Sequence, residues 1–169
     1  LEELRQLLSP DQTIMSIVAG VTIETLQAGL SHSAIIRVMP NTPAQVGSGM
    51  SVWTSTKDVT VEMREATRAI LDALGQEIFV PDERLLDMAT ALNGSGPAYV
   101  FKFIEALIDA GVYLGMARDM ARTLVIETVL GSTLLLKKTC LLYTSPRPRD
   151  ATLSSMASCA GKKKGGGGG

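Results

Sequence analysis

Cysteine, histidine and tryptophan are nearly missing from this chain, and their scarcity excludes several chemistries at once. The two cysteines, Cys140 and Cys159, both fall near the end. Nothing before Cys140 can therefore form a disulfide framework or a thiolate metal site. His32 is the single histidine, set between Ser31 and Ser33. It reads as a solvated loop residue, with a ligand or general-base role as the alternative, and Ser/His/Asp catalysis has no well-placed base. No set of His, Asp and Glu has metal-ligand spacing, so no metal site is expected. An excess of one charge is lacking too: 16 Lys and Arg stand against 17 Asp and Glu. A net charge of −1 gives no basic footprint for nucleic acid. No uncharged apolar run reaches the ~18 residues of a membrane span. The first residues have no basic stretch followed by an apolar one, so no signal peptide is visible and a cytoplasmic location is expected. Also absent is Gly-x-Gly-x-x-Gly after a strand, the turn that receives a pyrophosphate.

What is present is 46% hydrophobic, enough for one ordinary domain or pieces of two. Leu1, Leu4, Leu7 and Leu8 make a helical face that Ser9-Pro10-Asp11 ends. Residues 13–19 suit a strand buried on both faces of a parallel sheet. A helix over 21–30 with Thr22 as cap and a strand over 34–39 complete a βαβ unit. Pro40-Asn41-Thr42-Pro43 then breaks regular structure. Residues 50–54 read as a strand, with Trp53 as packing. Met63, Ala66, Ile70 and Leu74 mark a helix stopped by Gly75, and residues 77–80 a last strand ended by Pro81. Beyond Pro81 only helices are expected, over 83–92 with Asp82 as cap, 97–114 and 119–138. The fold class is thus α/β followed by all-α, with residues 1–81 the end of an open sheet and 82–138 a helical module. Residues 139–169 have no period and close on Lys162-Lys163-Lys164 and a glycine run, so they read as a non-native or disordered tail. The peptide around Cys140 to Asp150 looks like a translated sequencing adapter.

The 97–114 helix carries only Lys102, Glu105 and Asp109 as charges, spaced along one stripe. The stripe is a solvated face or, alternatively, a carboxylate pair. A helix otherwise apolar all round must be buried, and three helices cannot cover so much surface, so association with a second copy is expected. Residues 92–99 join the helices: Ser95 suits an N-cap, Pro97 a first turn, and Gly94 and Gly96 a close approach. That junction is a capped helix start or an anion site. Ligands in open α/β sheets sit beyond the carboxyl ends of strands. Two such ends carry small, stiff or amide residues, Ile17-Val18-Ala19-Gly20 and Met39-Pro40-Asn41-Thr42-Pro43, and each is a ligand wall or an ordinary turn.

Assembled, these segments resemble the pyrroline-5-carboxylate reductase family. Arg37 to Pro43 is similar to that family's strand and loop late in its nucleotide domain. Ala89 to Tyr99 is similar to the segment opening its long dimerisation helix. Asp109-Ala110-Gly111-Val112 and Thr128-Val129-Leu130-Gly131 agree in order and spacing. The resemblance covers residues 1 to 138, with Asn93 where the family usually has Ser and Ala117 where Pro is common. It implies the end of a Rossmann-like nucleotide-binding sheet, then a dimerisation domain. It implies reduction of the C=N bond of 1-pyrroline-5-carboxylate to L-proline by hydride from NADPH or NADH, in a homodimer or higher homo-oligomer. Ile17, Val18, Ala19, Met39, Pro40 and Asn41 would then lie beside the dinucleotide, and no catalytic side chain is assigned. A small-hydroxy-acid dehydrogenase, with Lys102 as the internal lysine, and a non-catalytic dimerisation module are the alternatives.

The family's glycine-rich turn and its Ser-Pro-Gly-Gly-Thr-Thr carboxylate loop have no counterpart in these residues, so the chain reads as an internal fragment. The 169-residue chain is therefore expected to show no proline-forming turnover and no tight NADPH binding; NADPH oxidation with 1-pyrroline-5-carboxylate above background would overturn this.

Overall fold

The structure is a computed structural model that describes residues 1–139. Contacts divide the chain into two compact units, Leu1–Phe103 and the residues from Ile104 onward. The first holds a short helix α1 (Glu2–Arg5), β1 (Ile14–Ser16), α2 (Ile23–Leu30) and β2 (Ile35–Met39). A 3-10 turn (Thr42–Val46) leads to β3 (Gly49–Ser55), followed by α3 (Val61–Asp72), β4 (Gly75–Phe79) and α4 (Arg84–Ala89). A π-turn (Thr90–Gly94) then runs into α5 (Gly96–Tyr113). The compact unit thus extends past Pro81 to take in α4 and the start of α5.

The sheet order is β1-β2-β3-β4. β1 runs parallel to β2 and β3 to β4, while β2 and β3 are antiparallel, with Met39 opposite Val52 and Val38 opposite Trp53. The sheet is therefore mixed rather than wholly parallel, because only the short turn through Pro40 to Gly47 joins β2 to β3, too little chain for a crossover. Strand alternation then fixes the two faces. Ala34, Ile36 and Val38 join Trp53, Val59 and Leu71 in a core under α3, and Ile35 joins Leu26 and Leu30 of α2 on the opposite face. Trp53 is 1% exposed, meets Phe79 edge-on at 4.9 Å and donates its indole N–H to Glu77. Its expected packing role stands.

Local chemistry explains most element ends. The hydroxyls of Thr22 and Thr60 accept from the N–H groups of Thr25 and Met63, capping α2 and α3 as N-cap residues do. Ser31 takes the left-handed conformation (φ 50°) after α2 and turns the chain back. That turn carries His32 inward, where it is buried with Nε2 2.6 Å from the Gln12 carbonyl oxygen. The solvated-loop expectation for His32 is corrected accordingly. The Ser95 cap is corrected too. Ser95 sits at φ −83°, ψ −20°, a helical conformation rather than the extended one of an N-cap, and its N–H donates to Thr90 O at 3.0 Å. The π-turn passes helical bonding straight into α5, so no loose helix start is exposed there.

In the second unit α5 ends at Tyr113, Gly115 (φ 96°) turns the chain, and α6 (Arg118–Thr139) follows. Gly111 lets the two helices approach: a Cβ there would come within 2.9 Å of the Ala121 Cβ, and Ala121 is the buried residue of α6. Leu107, Leu114, Leu124 and Val125 line an apolar groove of about 290 Å³ between them. The expected tail, residues 139–169, lies outside the described residues save for Thr139. No described helix is long and apolar enough to cross a membrane.

Gly75 is the tightest backbone position. It opens β4 at φ 146°, and a Cβ there would collide with the backbone of Gly49 on β3. Gly75→Ala is expected to cost about 2–3 kcal/mol, combining strained backbone with a clash that no rotamer relieves. Urea unfolding measures it, and a loss under half a kilocalorie would show that the strand starts can part freely.

Candidate active site

Beyond the carboxyl ends of β1 and β2 lies a cavity of about 560 Å³. Met15 and Ile17 form one wall, Val38 to Thr42 the next, Ile70 and Leu71 of α3 with Leu74 just after it the third, and Gly94 closes one side. The lining is mostly apolar and carries no charged residue, so the cavity suits a flat or aliphatic group and offers no cation to a phosphate. Of the six residues expected beside a dinucleotide, Ile17, Met39, Pro40 and Asn41 line this space. Val18 and Ala19 follow Ile17 on an exposed loop and are not among the lining residues. The Val18 N–H donates to the buried Ser16 hydroxyl at 3.4 Å, which curls that loop as it leaves β1.

The Met39–Pro43 wall is held by amide chemistry. Pro40 follows β2 and cannot extend its ladder, so pairing with β3 stops at Met39–Val52. Two residues nearer the start of β3, both backbone polar groups of Met50 are bound by side chains instead. The Met50 N–H donates to Asn41 Oδ1 (2.9 Å), and Asn93 Nδ2 donates to the Met50 carbonyl (2.9 Å). Asn41 Nδ2 donates to Asn93 Oδ1 (2.8 Å) and closes the circuit. Asn41 was expected to offer its amide to a ligand; both its oxygen and its nitrogen are engaged by the protein. Behind them Gly94 touches the wall itself, since a Cβ on it would stand 2.6 Å from the Met39 methyl carbon.

A second polar knot lies on the α2 face. Arg37 on β2 is 3% exposed, and its guanidinium donates to Glu83 (2.7 Å) and Asp87 (2.9 Å). Burial works against the charge of Arg37, but the two carboxylates outweigh it and hold its pKa above the usual arginine value. The same Glu83 oxygen accepts from the N–H of Ile23, the first residue of α2 (2.7 Å). Glu83 thereby ties α4 to β2 and to the helix that follows the Ile17–Ala19 loop. Sequence reading missed this knot, although one signal was present. A charged residue in an otherwise apolar strand covered on both faces requires a buried partner.

Comparison with known proteins completes the description. Residues 83–158 match the pyrroline-5-carboxylate reductase dimerisation family. Pyrroline-5-carboxylate reductase of Synechocystis is 46% identical over 126 residues, 75% of this chain and 47% of that protein. The Arabidopsis thaliana reductase is 41% identical over 137 residues, 81% of this chain and 49% of that protein. The matched region belongs to the pyrroline-5-carboxylate reductase family. The chain spans about half the length of the curated relatives it matches. Among solved structures, the Plasmodium falciparum pyrroline carboxylate reductase with NADP bound superposes with a TM-score of 0.77 at 37% identity, over 82% of this chain and 55% of that one. The Streptococcus pyogenes enzyme gives 0.74 at 34% identity, over 88% and 56%. The α/β-then-helical architecture is thus the one expected for this family.

The Arg37 knot makes an asymmetric prediction. Glu83→Ala leaves a buried guanidinium with one exposed partner and is expected to cost about 3 kcal/mol. Arg37→Met replaces the charge by apolar volume and leaves carboxylates that reach water, so it should cost less than half as much. Equal losses in urea unfolding would show that the knot is not organised around the arginine.

Proposed function

We propose that this chain contributes to an enzyme that reduces 1-pyrroline-5-carboxylate to L-proline with NADPH or NADH, working in the cytoplasm as a homodimer or higher homo-oligomer. The observation that carries the reading is the uncharged cavity at the carboxyl ends of β1 and β2, bounded by the segments that resemble the family's cofactor loops. Such a space fits the nicotinamide end of a dinucleotide; the diphosphate needs backbone N–H groups or cations from elsewhere. Ile17, Val18, Ala19, Met39, Pro40 and Asn41 flank that end in this reading. When bound, the cofactor supplies the hydride. The chain's own residues hold the ring's position, present apolar surface to one face of it and keep water from the transfer path. No described side chain is assigned a proton-transfer role.

Association rests on separate evidence. No residue of α5 is buried, and Phe101, Phe103, Tyr113, Leu124, Leu130 and Leu135 stand exposed along α5 and α6. Apolar surface of that extent is covered by a partner in stable proteins. The matched family is itself a dimerisation family, which makes a second copy the partner of choice.

Two measurements test this. A Synechocystis reductase carrying the matched 126 residues of this chain in place of its own is expected to retain 1-pyrroline-5-carboxylate-dependent NADPH oxidation within about tenfold. A folded chimera without turnover overturns the catalytic reading. Light scattering of the chain at micromolar concentration is expected to return at least twice its mass, and a stable monomer overturns the association.

A further inference from the structure

We propose that Asn93 is a positioning residue for the cavity: without lining it, Asn93 fixes the Met39–Asn41 wall by bridging Asn41 to the Met50 carbonyl. The inference rests on the reading of that cavity as a nicotinamide site only for its ligand arm; the latch itself stands on geometry. Pro40 ends the β2 ladder, so the Met50 N–H and carbonyl would otherwise face the loop unpaired. A backbone pair left so, in a part-buried strand, must find partners. Asn is the residue that can serve, because one side chain carries both an acceptor and donors. Two of them in sequence reproduce what a strand would have supplied: one takes the N–H, the other the carbonyl, and they bind each other at 2.8 Å. Ser, the residue usual in the family at this position, carries donor and acceptor on one oxygen close to the backbone, whereas Asn93 separates them on two atoms further out. The Gly94 contact with the Met39 methyl makes the same turn a backstop for the wall. The π-turn places both residues, since its i-to-i+5 closure from Ser95 to Thr90 widens the helix there.

The test uses the full chain, followed by NMR. The Met50 N–H bonds to Asn41 and not to Asn93, so its exchange with solvent reports whether Asn93 holds Asn41 in place. Asn93→Ala is expected to speed Met50 exchange about tenfold or more and to shift the Met39 methyl signal. Asn41→Ala should do the same, and the double variant should go no further than either, as in one coupled unit. Asn93→Ser, expected to behave like Asn93→Ala, serves if the alanine variant does not fold. Unchanged Met50 exchange, or effects that simply add, overturn the proposal. In the ligand arm, NADPH at millimolar concentration should perturb Met39 in the unaltered chain, and Asn93→Ala should weaken that response about tenfold. Leu30→Ala, a core change on the opposite face of the sheet, should lower the melting temperature and leave the response unchanged. Loss of the response in Leu30→Ala as well would overturn a positioning role in favour of general destabilisation. No NADPH response in the unaltered chain would overturn the cofactor reading, while the exchange measurements still decide the latch.

Discussion

The arrangement around the cavity depends on β2 stopping one residue before a proline. Val38 and Met39 pair with β3, Pro40 cannot, and the chain must leave the sheet at that point. β3 begins earlier, at Gly49, so its first residues lie beyond the reach of β2. The polar backbone of Met50 then becomes a demand that the rest of the fold meets with Asn41 and Asn93. Meeting it brings together three segments far apart in sequence: the loop after β2, the start of β3 and the turn before α5. The cavity lies between the end of β1, the loop after β2, α3 and Gly94 of that turn.

The stretch from Glu83 to Gly94 emerges as the organiser of both strand-end loops. At its start Glu83 binds Arg37 and the first N–H of α2, downstream of the Ile17–Ala19 loop. At its end Asn93 binds the loop after β2. The two attachments differ in character. The Arg37 knot is a buried charge whose partners partly reach water, so its worth lies mainly in the penalty for breaking it. The Asn93 latch is neutral, with each bond worth about 1 kcal/mol, but it is directional and fixes where the wall stands. One holds the segment to the sheet, and the other sets a distance.

Much of this was legible in the residues. Periodicity located the strands and helices, and the hydroxyl cap of α2 was visible in Thr22, whereas that of α3 in Thr60 emerged only with the structure. The strand ends that bound the cavity were marked by their small and stiff residues. What escaped was relational. His32 looked solvated because its neighbours are serines, yet the left-handed Ser31 turns it inward. Ser95 looked like a cap because it precedes Gly-Pro, yet a π-turn carries the helix through it. Asn41 looked available because its amide is versatile, and versatility is what let the fold use it. Pairings such as Asn41–Asn93 and Arg37–Glu83 span about fifty residues of sequence and leave no local period.

That use of Asn41 changes what recognition at this site can mean. A side chain whose oxygen accepts from Met50 and whose nitrogen donates to Asn93 has one amide hydrogen left for anything else. Discrimination between ligands in the cavity then rests on shape, on the width set between Ile17, Met39 and α3, more than on hydrogen-bond complementarity. A shape-based site tolerates little movement of its walls, because apolar contact weakens with fractions of an ångström of gap. It follows that Asn93 from outside the cavity and Asn41 from within its wall serve it by holding the apolar surfaces at a fixed separation.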